Sequence, residues 1–412
     1  MIKLNDFVTK CFCSDKNNMY NMLSILDFDE IWNKDLFVNY LNELIDKNTI
    51  LQNYIEQKDD NFYWVKDSNL DFNIDNFYII KPENYKNFEN ATTRVLNDEF
   101  SSKYRWHFTV LNDYTNNKSR IYLKIDHSYC DAYNLISMLT IPLKPNYQIP
   151  DFKRKPNNLL DQLYYFIIGT ILLIIINVKI IWKLFLKKKY GGNKINYSND
   201  KMKNIHCSVI KLNIIKNITS KYKITINTFL YALMVKTWYN YNKKNSDNVV
   251  SISPINTNRT PTNMYNTNNI FFMFTEVTKY DDNVMLFKKI EEQFNLYKFT
   301  PFIPITNKML LYLLPYVSQD FQTQMCDELF YNVNLAFTNV IGPKFDDDKC
   351  NRFVKVKNLQ CSTVTKNNEI CFNMMSFNDK ININVSFREN LIKHKTRFRK
   401  CFQRAYNSLI AL

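Results

Sequence analysis

An uncharged apolar run near the middle of the chain constrains its architecture more than any other feature. No charged residue occurs within residues 162–178, and the apolar character continues to Leu186. About 20 apolar residues suffice to cross a bilayer, but Asn177, Lys179 and Lys183 interrupt this run. Lysine side chains reach lipid head groups from such positions. The run therefore predicts a membrane-associated segment, inserted or interfacial, in preference to a buried core helix.

The segments on either side of this run have a different pattern. Residues 1–150 and 206–412 each mix strand-like alternation with helix-like periodicity of apolar residues. Residues 151–205 form a linker that holds the apolar segment, about 159–186, between lysine-rich flanks. We therefore predict two lobes of mixed α/β (α+β) structure, each around a largely antiparallel sheet, joined by the membrane-associated linker.

Apolar periodicity also places the main elements within the two lobes. Helices are predicted over residues 36–45, 132–139, 225–241, 282–297 and 388–412. Strands are predicted over residues 61–65, 76–81, 104–111, 120–125, 206–212, 248–253, 270–277, 331–338, 370–377 and 380–387. The strand 248–253 is expected to end at Pro254, and Asn378 and Asp379 are expected to turn between the last two strands.

A short polar segment between a predicted strand and a predicted helix is the strongest candidate for chemistry. It contains His127 and, four residues later, Asp131. Histidine has a reference pKa near neutral, so His127 can accept a proton from an attacking hydroxyl group. Asp131 can hold the loop or the imidazole by hydrogen bonding. The bare His-x-x-x-Asp spacing also occurs by chance in many proteins, so its meaning depends on the surrounding motifs.

Those surroundings carry a family resemblance. Residues 127–132 (HSYCDA) resemble the HHxxxDG motif of the wax ester synthase/diacylglycerol acyltransferase family, which is related to chloramphenicol acetyltransferase and condensation domains. Other segments are similar to motifs of that family in the same order: 104–108 (YRWHF, with Trp106), 225–228 (TINT, with Asn227), 253–259 (SPINTNR, with Arg259) and 338–343 (TNVIGP, with Asn339, Gly342 and Pro343). Gly342 is one of only four glycines, which suggests that it supplies a backbone conformation that other residues resist.

The resemblance implies a fold, a reaction and roles for these residues. It implies a two-lobed, chloramphenicol acetyltransferase-like fold in which acyl-coenzyme A and an alcohol meet in a tunnel between the lobes. His127 would be the general base, Asn227 would assist the carbonyl or the oxyanion, and Asp131 would act structurally, through an arginine such as Arg259. The remaining matched residues would bind substrate or maintain the motif. The chain departs from the family at Asp126, Ala132 and Thr228, where the family has His, Gly and Asp.

The resemblance also implies the partners. Acyl-coenzyme A serves as co-substrate, the acceptor is a long-chain alcohol or diacylglycerol, and neither a cofactor nor a metal is required. A net charge of +15 suits anionic lipid head groups or the phosphates of coenzyme A. No nucleic-acid partner is expected, because no zinc-finger or RNA-recognition motif accompanies the charge. The nine cysteines contain no CxxC pair, so they predict no zinc site.

The order of the motifs predicts a membrane topology. His127 precedes the apolar segment and Asn227 follows it, so a shared site requires both lobes on one side of the membrane. The segment should then lie in the interface or dip in and return, with Gly169 and Asn177 as candidate break points. We predict association with the cytosolic face of a membrane, the endoplasmic reticulum being the expected one.

Three other interpretations stay open at this level. One is a catalytically degenerate acyltransferase fold that binds lipid or a protein partner at a membrane, which the departures at Asp126 and Thr228 favour. Another is a condensation-type module that acts on carrier-bound acyl groups, although no carrier segment follows in the sequence. The last is a basic membrane-tethering protein without activity, which leaves the ordered motifs unexplained.

Overall fold

The computed structural model describes the greater part of the 412-residue chain. The described residues are 1–3, 20–58, 61–66, 78–80, 87–100, 103–115, 118–140, 142–143, 158–189, 201–242, 248–256, 270–278, 281–313, 316–318, 321, 333, 335–345, 355–363 and 370–412.

The described α-helices are numbered in chain order. They are α1 (Lys34–Lys47), α2 (Phe88–Asn97), α3 (Ala132–Thr140), α4 (Leu159–Tyr164), α5 (Thr170–Lys189), α6 (Leu212–Tyr222), α7 (Ile226–Tyr241), α8 (Asn283–Phe299), α9 (Phe302–Leu313) and α10 (Lys395–Ile410). A π turn, Tyr165–Gly169, joins α4 directly to α5.

The described strands are likewise numbered in chain order. They are β1 (Ile2–Lys3), β2 (Asn21–Phe28), β3 (Asn53–Lys58), β4 (Asn61–Lys66), β5 (Tyr78–Ile80), β6 (Trp106–Thr115), β7 (Lys118–Asp126), β8 (Met202–Lys211), β9 (Asn248–Asn256), β10 (Ile270–Thr278), β11 (Leu335–Ile341), β12 (Val356–Thr363), β13 (Ile370–Phe377) and β14 (Lys380–Arg388).

Within the described residues, the strands form two principal sheets and one small one. The first lobe has a five-stranded sheet of order β12-β2-β7-β6-β5 and a three-stranded sheet β1-β4-β3. The second lobe has a six-stranded sheet of order β10-β9-β11-β13-β14-β8. Most pairs are antiparallel, the parallel ones being β5–β6, β9–β11 and β11–β13. The predicted fold class, two lobes around mostly antiparallel sheets, is confirmed.

One strand crosses between the lobes. β12 belongs by sequence to residues 206–412, yet it pairs antiparallel with β2 at the edge of the first-lobe sheet. The predicted division of the chain at the linker therefore needs a correction for this strand. Apolar alternation identifies a strand but does not reveal which sheet it joins, because pairing depends on residues far away in sequence.

Polar side chains join β12 to β14 of the second-lobe sheet. Asn382 donates from Nδ2 to Asn358 Oδ1 at 2.8 Å, and Asn384 donates to Gln360 Oε1 at 3.2 Å. Both asparagines are buried, and they alternate along β14 with apolar residues of the second-lobe core. Buried amides cost free energy unless they are hydrogen-bonded, so these bonds fix the register between the two lobes.

Most predicted elements are present, with shifted ends. β9 continues through Pro254 to Asn256, so the prediction that it ends at the proline is wrong. Pro254 pairs with Phe272 of β10 on one side of the strand. On the other side the pairing with β11 extends only over Ser251 and Ile252, and a proline without N–H is tolerated where that side lacks a neighbour. The terminal helix is shorter than predicted and begins at Lys395. The sequence patterns missed α2, α6, α9, β1, β2, β3 and β12.

One narrow face of the apolar helix packs against the second lobe. Gly169, Leu173 and Asn177 are buried and recur every four residues, which places them on one side of a helix. A Cβ atom on Gly169 would lie 2.9 Å from Thr300 Cγ2, and Tyr297 donates from its hydroxyl to Asn177 Oδ1 at 2.9 Å. These two positions are therefore docking contacts. α5 continues through Asn177, so the prediction of a break there is wrong, whereas Gly169 lies in the π turn that joins α4 to α5.

Candidate functional site

His127 lies in the turn that follows β7. Its backbone N–H donates to the carbonyl of Tyr20 at 2.8 Å, and the N–H of Tyr129 donates to the carbonyl of Asp126 at 3.0 Å. These two bonds close the turn on both sides of the histidine. His127 is half-buried, whereas its neighbours on both sides are buried. The strand end and the turn thus present His127 at the edge of the first-lobe core.

Asp126 shapes this turn. Its Oδ1 accepts from the N–H of Ser128 at 2.8 Å and from the Ser128 hydroxyl at 2.5 Å, which is the geometry of an Asx turn. Its Oδ2 lies 3.6 Å from Nη1 of Arg105. Burial raises the pKa of the Asp126 carboxyl, and Arg105 and Ser128 oppose that rise. Where the resembled motif has its first histidine, this chain has a residue that supports the turn.

Asp131 starts the helix that follows the turn. Its Oδ1 accepts from the N–H of Asn134 at 2.9 Å, and its carbonyl accepts from Leu135 at 2.9 Å. A carboxylate at this position satisfies a backbone donor that the first turn of a helix leaves unpaired. The hydroxyl of Tyr129, two residues earlier, donates to the carbonyl of Asn53 at 2.8 Å. Asp131 therefore holds the start of this helix, and its predicted role through an arginine such as Arg259 stays a prediction.

The helix α3 brings the His127 turn against the second lobe. α3 packs against β11, and Val340 of β11 belongs to the same apolar core as Leu135 and Ile136 of α3. Leu335 and Phe337 lie on the opposite face of β11 from Val340, and they belong to the second-lobe core. Asn339 comes next on that second-lobe face and is half-buried. β11 therefore lies at the junction of the lobes and carries a polar side chain there.

Asn339 and Asn227, which are 112 residues apart, are in contact. Asn339 donates from Nδ2 to Oδ1 of Asn227 at 2.5 Å. Asn227 is exposed in the first turn of α7, immediately after Thr225, whose hydroxyl oxygen accepts from the N–H of Thr228 at 3.2 Å. The structure thus brings together two residues that the motif order predicted to share a site.

Gly342 is required by close packing. A Cβ atom at this position would lie 2.1 Å from the carbonyl oxygen of Ser376, and the Gly342 N–H donates to the Ser376 hydroxyl at 3.2 Å. Its backbone does not occupy the left-handed region, so the interpretation based on an unusual conformation is wrong. The buried Pro343 follows, and its carbonyl accepts from Asn378, a turn residue with φ of 52°.

Two further predicted residues have different outcomes. Trp106 is buried in the first-lobe core, and its Nε1 donates to the carbonyl of Leu51 at 3.1 Å. Its contacts are those of a core residue that supports β6. Arg259 lies outside the described residues. Sequence patterns missed Glu291, whose carboxylate accepts from the first turn of α7, because no local motif marks a contact 66 residues away.

The arrangement has a histidine and an asparagine on elements that meet where the two lobes pack. Within the part of the chain that the structure describes, no group of three or more His, Cys, Asp or Glu residues could hold a metal ion. His127 precedes α3, which packs against β11, and β11 carries Asn339, which is hydrogen-bonded to Asn227. Proton transfer and hydrogen bonding to a developing oxyanion are the chemistry that these residue types supply.

Comparison with known families supports the resemblance inferred from the motifs. Residues 266–410 match the family described as the WS/DGAT C-terminal domain. The match covers β10 to α10, and it includes Asn339, Gly342 and Pro343. The predicted resemblance is therefore confirmed. Among curated proteins, none matches the chain by sequence.

Solved structures extend the likeness to the whole chain at the level of fold. The wax ester synthase/diacylglycerol acyltransferase from Marinobacter aquaeolei is 14% identical with a TM-score of 0.61, covering 98% of this chain and 99% of that one. Trichothecene 15-O-acetyltransferase from Fusarium sporotrichioides is 11% identical with a TM-score of 0.61, covering 97% and 94%. The first condensation domain of the calcium-dependent antibiotic synthetase is 9% identical with a TM-score of 0.61, covering 100% and 97%. The chain therefore has the condensation-domain/acyltransferase fold.

Proposed function

We propose that this chain is an O-acyltransferase that moves a fatty acyl group from acyl-coenzyme A to the hydroxyl group of a lipophilic acceptor. The observation that carries the proposal is the pairing of Asn227 with Asn339 on a strand that packs against the helix of the His127 turn. The WS/DGAT C-terminal domain over residues 266–410 supports acyl transfer as the reaction class.

The proposed mechanism is direct transfer without a covalent enzyme intermediate. His127 removes the proton from the acceptor hydroxyl, and the oxygen attacks the thioester carbonyl carbon to give a tetrahedral oxyanion. The C–S bond then breaks, and the proton on His127 passes to the departing thiolate. The products are an ester and free coenzyme A. General-base catalysis of this kind contributes about 10²–10⁴-fold to the rate.

Asn227 is suited to meet the oxyanion. Its Oδ1 is engaged by Asn339, so the amide is oriented with its NH₂ group as the remaining donor end. A side-chain amide held in place by a second residue loses little entropy when it binds developing charge. Asp126 and Asp131 act indirectly, because their hydrogen bonds hold the two ends of the turn that contains His127. No step in this sequence requires a cofactor.

The acceptor is proposed to be a long-chain alcohol or a diacylglycerol, and the membrane is proposed to be its source. By length and composition the helix Leu159–Lys179 could cross a bilayer, and only 11% of its apolar 18-residue window is buried. Its exposed large apolar residues are Leu159, Leu160, Leu163, Tyr164, Phe166, Ile167, Ile168, Ile171, Leu172, Ile174, Ile175 and Val178, and Trp182 follows them in α5. Its buried face rests on the second lobe, which supports an interfacial position in preference to a single crossing.

A second helix extends the apolar surface. α9 packs against α5, and Ile305, Met309 and Tyr312 are exposed at spacings of four and three residues. These positions lie on one side of a helix. The two helices together present an apolar face beside the second lobe, as interfacial membrane proteins do. We place this face in the cytosolic leaflet, at the endoplasmic reticulum, because the water-soluble donor acyl-coenzyme A reaches the site from the cytosol.

A transfer assay tests the proposal. The purified protein, in nanodiscs, would be incubated with radiolabelled palmitoyl-coenzyme A and, separately, hexadecanol, a diacylglycerol or a sterol. We expect labelled ester and an equal amount of free thiol with at least one acceptor. Asn227→Ala should lower the rate by about 10²–10³-fold, the usual cost of losing an oxyanion donor. Asn217→Ala, on the exposed face of α6, should match the wild type.

The same assay separates the alternatives. Thioester hydrolysis without ester, or no turnover with any acceptor while labelled lipid still binds, would support the catalytically degenerate fold. Transfer from an acyl carrier protein but not from palmitoyl-coenzyme A would support a condensation-type module. Equal rates for Asn227→Ala and the wild type would exclude Asn227 from the mechanism.

A further inference from the structure

The start of α7 depends on a carboxylate that the helix does not itself contain. No acidic residue occurs in the first turn of α7, although anionic groups are favoured at that end of a helix. Position 228, where the resembled motif has an aspartate, is a threonine here. Glu291 of α8 supplies the charge, since α8 packs against α7.

Glu291 contacts this turn through one oxygen atom. Its Oε2 accepts from the N–H of Thr225 at 3.1 Å, from the Thr225 hydroxyl at 3.3 Å and from the Thr228 hydroxyl at short range. Thr228 is buried, and Glu291 is half-buried. Hydrogen bonds to a carboxylate in such a position are about twice as strong as bonds between neutral groups.

These bonds bracket Asn227. Thr225 immediately precedes Ile226 and caps the helix, and Thr228 follows Asn227 directly. Both flanking threonines are tied to the same carboxylate, so rotation of the first turn would break bonds on either side of Asn227. On its other side, Asn227 is held by Asn339. The amide is therefore fixed between β11 and α8.

We propose that Glu291 is the positioning residue of the acyl-transfer site: it orders the first turn of α7 and thereby holds the Asn227 amide where the oxyanion forms. The inference rests on the proposed function. Glu291 itself does not touch the substrate, so its loss should lower kcat and leave KM for acyl-coenzyme A nearly unchanged.

The test uses one variant, one neighbouring control and one compensating change. Glu291→Gln keeps the shape and removes the charge. Glu292→Gln removes a charge that is exposed and paired with Lys289 at 3.1 Å on the outer face of α8. Thr228→Asp, combined with Glu291→Gln, returns a carboxylate to the same turn from within α7.

Two readouts are measured on the full-length protein. Hydrogen–deuterium exchange, read by mass spectrometry on a peptide covering the start of α7, reports the order of the turn. Steady-state kinetics report transfer. We expect Glu291→Gln to speed exchange at this turn and to lower kcat by about tenfold, as the loss of a charge-assisted contact does. Glu292→Gln should change neither, and Thr228→Asp should restore both in the double variant.

Several outcomes would overturn the inference. It fails if exchange at the start of α7 is the same in Glu291→Gln and Glu292→Gln. It also fails if exchange rises while kcat stays at the wild-type value, or if Thr228→Asp restores neither. A wild type that transfers no acyl group would instead refute the proposed function, and the exchange experiment would still decide whether Glu291 orders the turn.

Discussion

Replacing Gly342 by alanine is expected to damage both stability and transfer. The new Cβ would lie 2.1 Å from the Ser376 carbonyl oxygen, about 1.3 Å short of ordinary van der Waals contact at roughly 3.4 Å. Ser376 is paired with Ile341 in the β11–β13 ladder, so its carbonyl cannot move as a side chain would. Overpacking of this kind costs about 1–3 kcal/mol. A displacement near 1 Å at a reacting group can cost about 10²-fold in rate, and β11 carries Asn339.

The matched control is Gly169→Ala, at a second buried glycine. Its Cβ would lie 2.9 Å from Thr300 Cγ2 and 3.3 Å from a ring atom of Tyr165, both in side chains. Alanine also favours a helix over glycine by about 1 kcal/mol, so this variant should stay within about 1 kcal/mol of the wild type. Urea unfolding followed by tryptophan fluorescence, with transfer rates beside it, compares the two. A Gly342→Ala protein as stable and active as the wild type, or an equal loss in Gly169→Ala, would refute the steric argument.

Three further predictions concern the first lobe and the membrane. Burial lowers the pKa of Lys124 to about 8. Below that pH the folded state contains a charged, buried ammonium group, which destabilises it. Above that pH the folded protein loses this proton while the unfolded chain still holds it, so the destabilisation disappears. The free energy of unfolding should therefore increase between pH 7 and 9 by about 1 kcal/mol more in the wild type than in Lys124→Met, and equal slopes would contradict this. Asp126→Asn keeps the acceptor for Ser128 and should retain transfer within about tenfold, whereas Asp126→Ala should lose most of it because the turn loses that bond; equal rates would show that the turn does not depend on it. Epitope tags placed after Pro150 and after Gly192 should both be digested by protease added to the cytosolic side of sealed vesicles, and protection of one tag alone would establish a single crossing.

The local parts of this structure could be predicted from the sequence. Apolar alternation identified β6 and β7, and the change to helical periodicity after Asp131 located the turn that contains His127. The order of the motifs predicted that Asn227 and Asn339 would share a site, and they are hydrogen-bonded. The catalytic role of His127 stays a prediction.

The parts that depend on distant pairing could not be predicted. Nothing within residues 356–363 indicates that this strand joins the sheet of the other lobe. The reason for Gly342 is the approach of Ser376, 34 residues later, and the partner of Thr228 is a glutamate on another helix. Asn177 interrupts the apolar run, but its role as a docking contact follows only from the position of Tyr297. Each of these contacts joins residues that are far apart in the sequence, so its prediction requires knowledge of the folded structure.

The most direct test of the account is the rate of ester formation by His127→Ala. The account predicts a loss of at least about 10²-fold in transfer from palmitoyl-coenzyme A, with an unfolding curve that superimposes on that of the wild type. His394→Ala, at an exposed histidine before α10, should transfer at the wild-type rate. If folded His127→Ala forms ester as fast as the His394→Ala control, His127 is not the base and the central claim is contradicted.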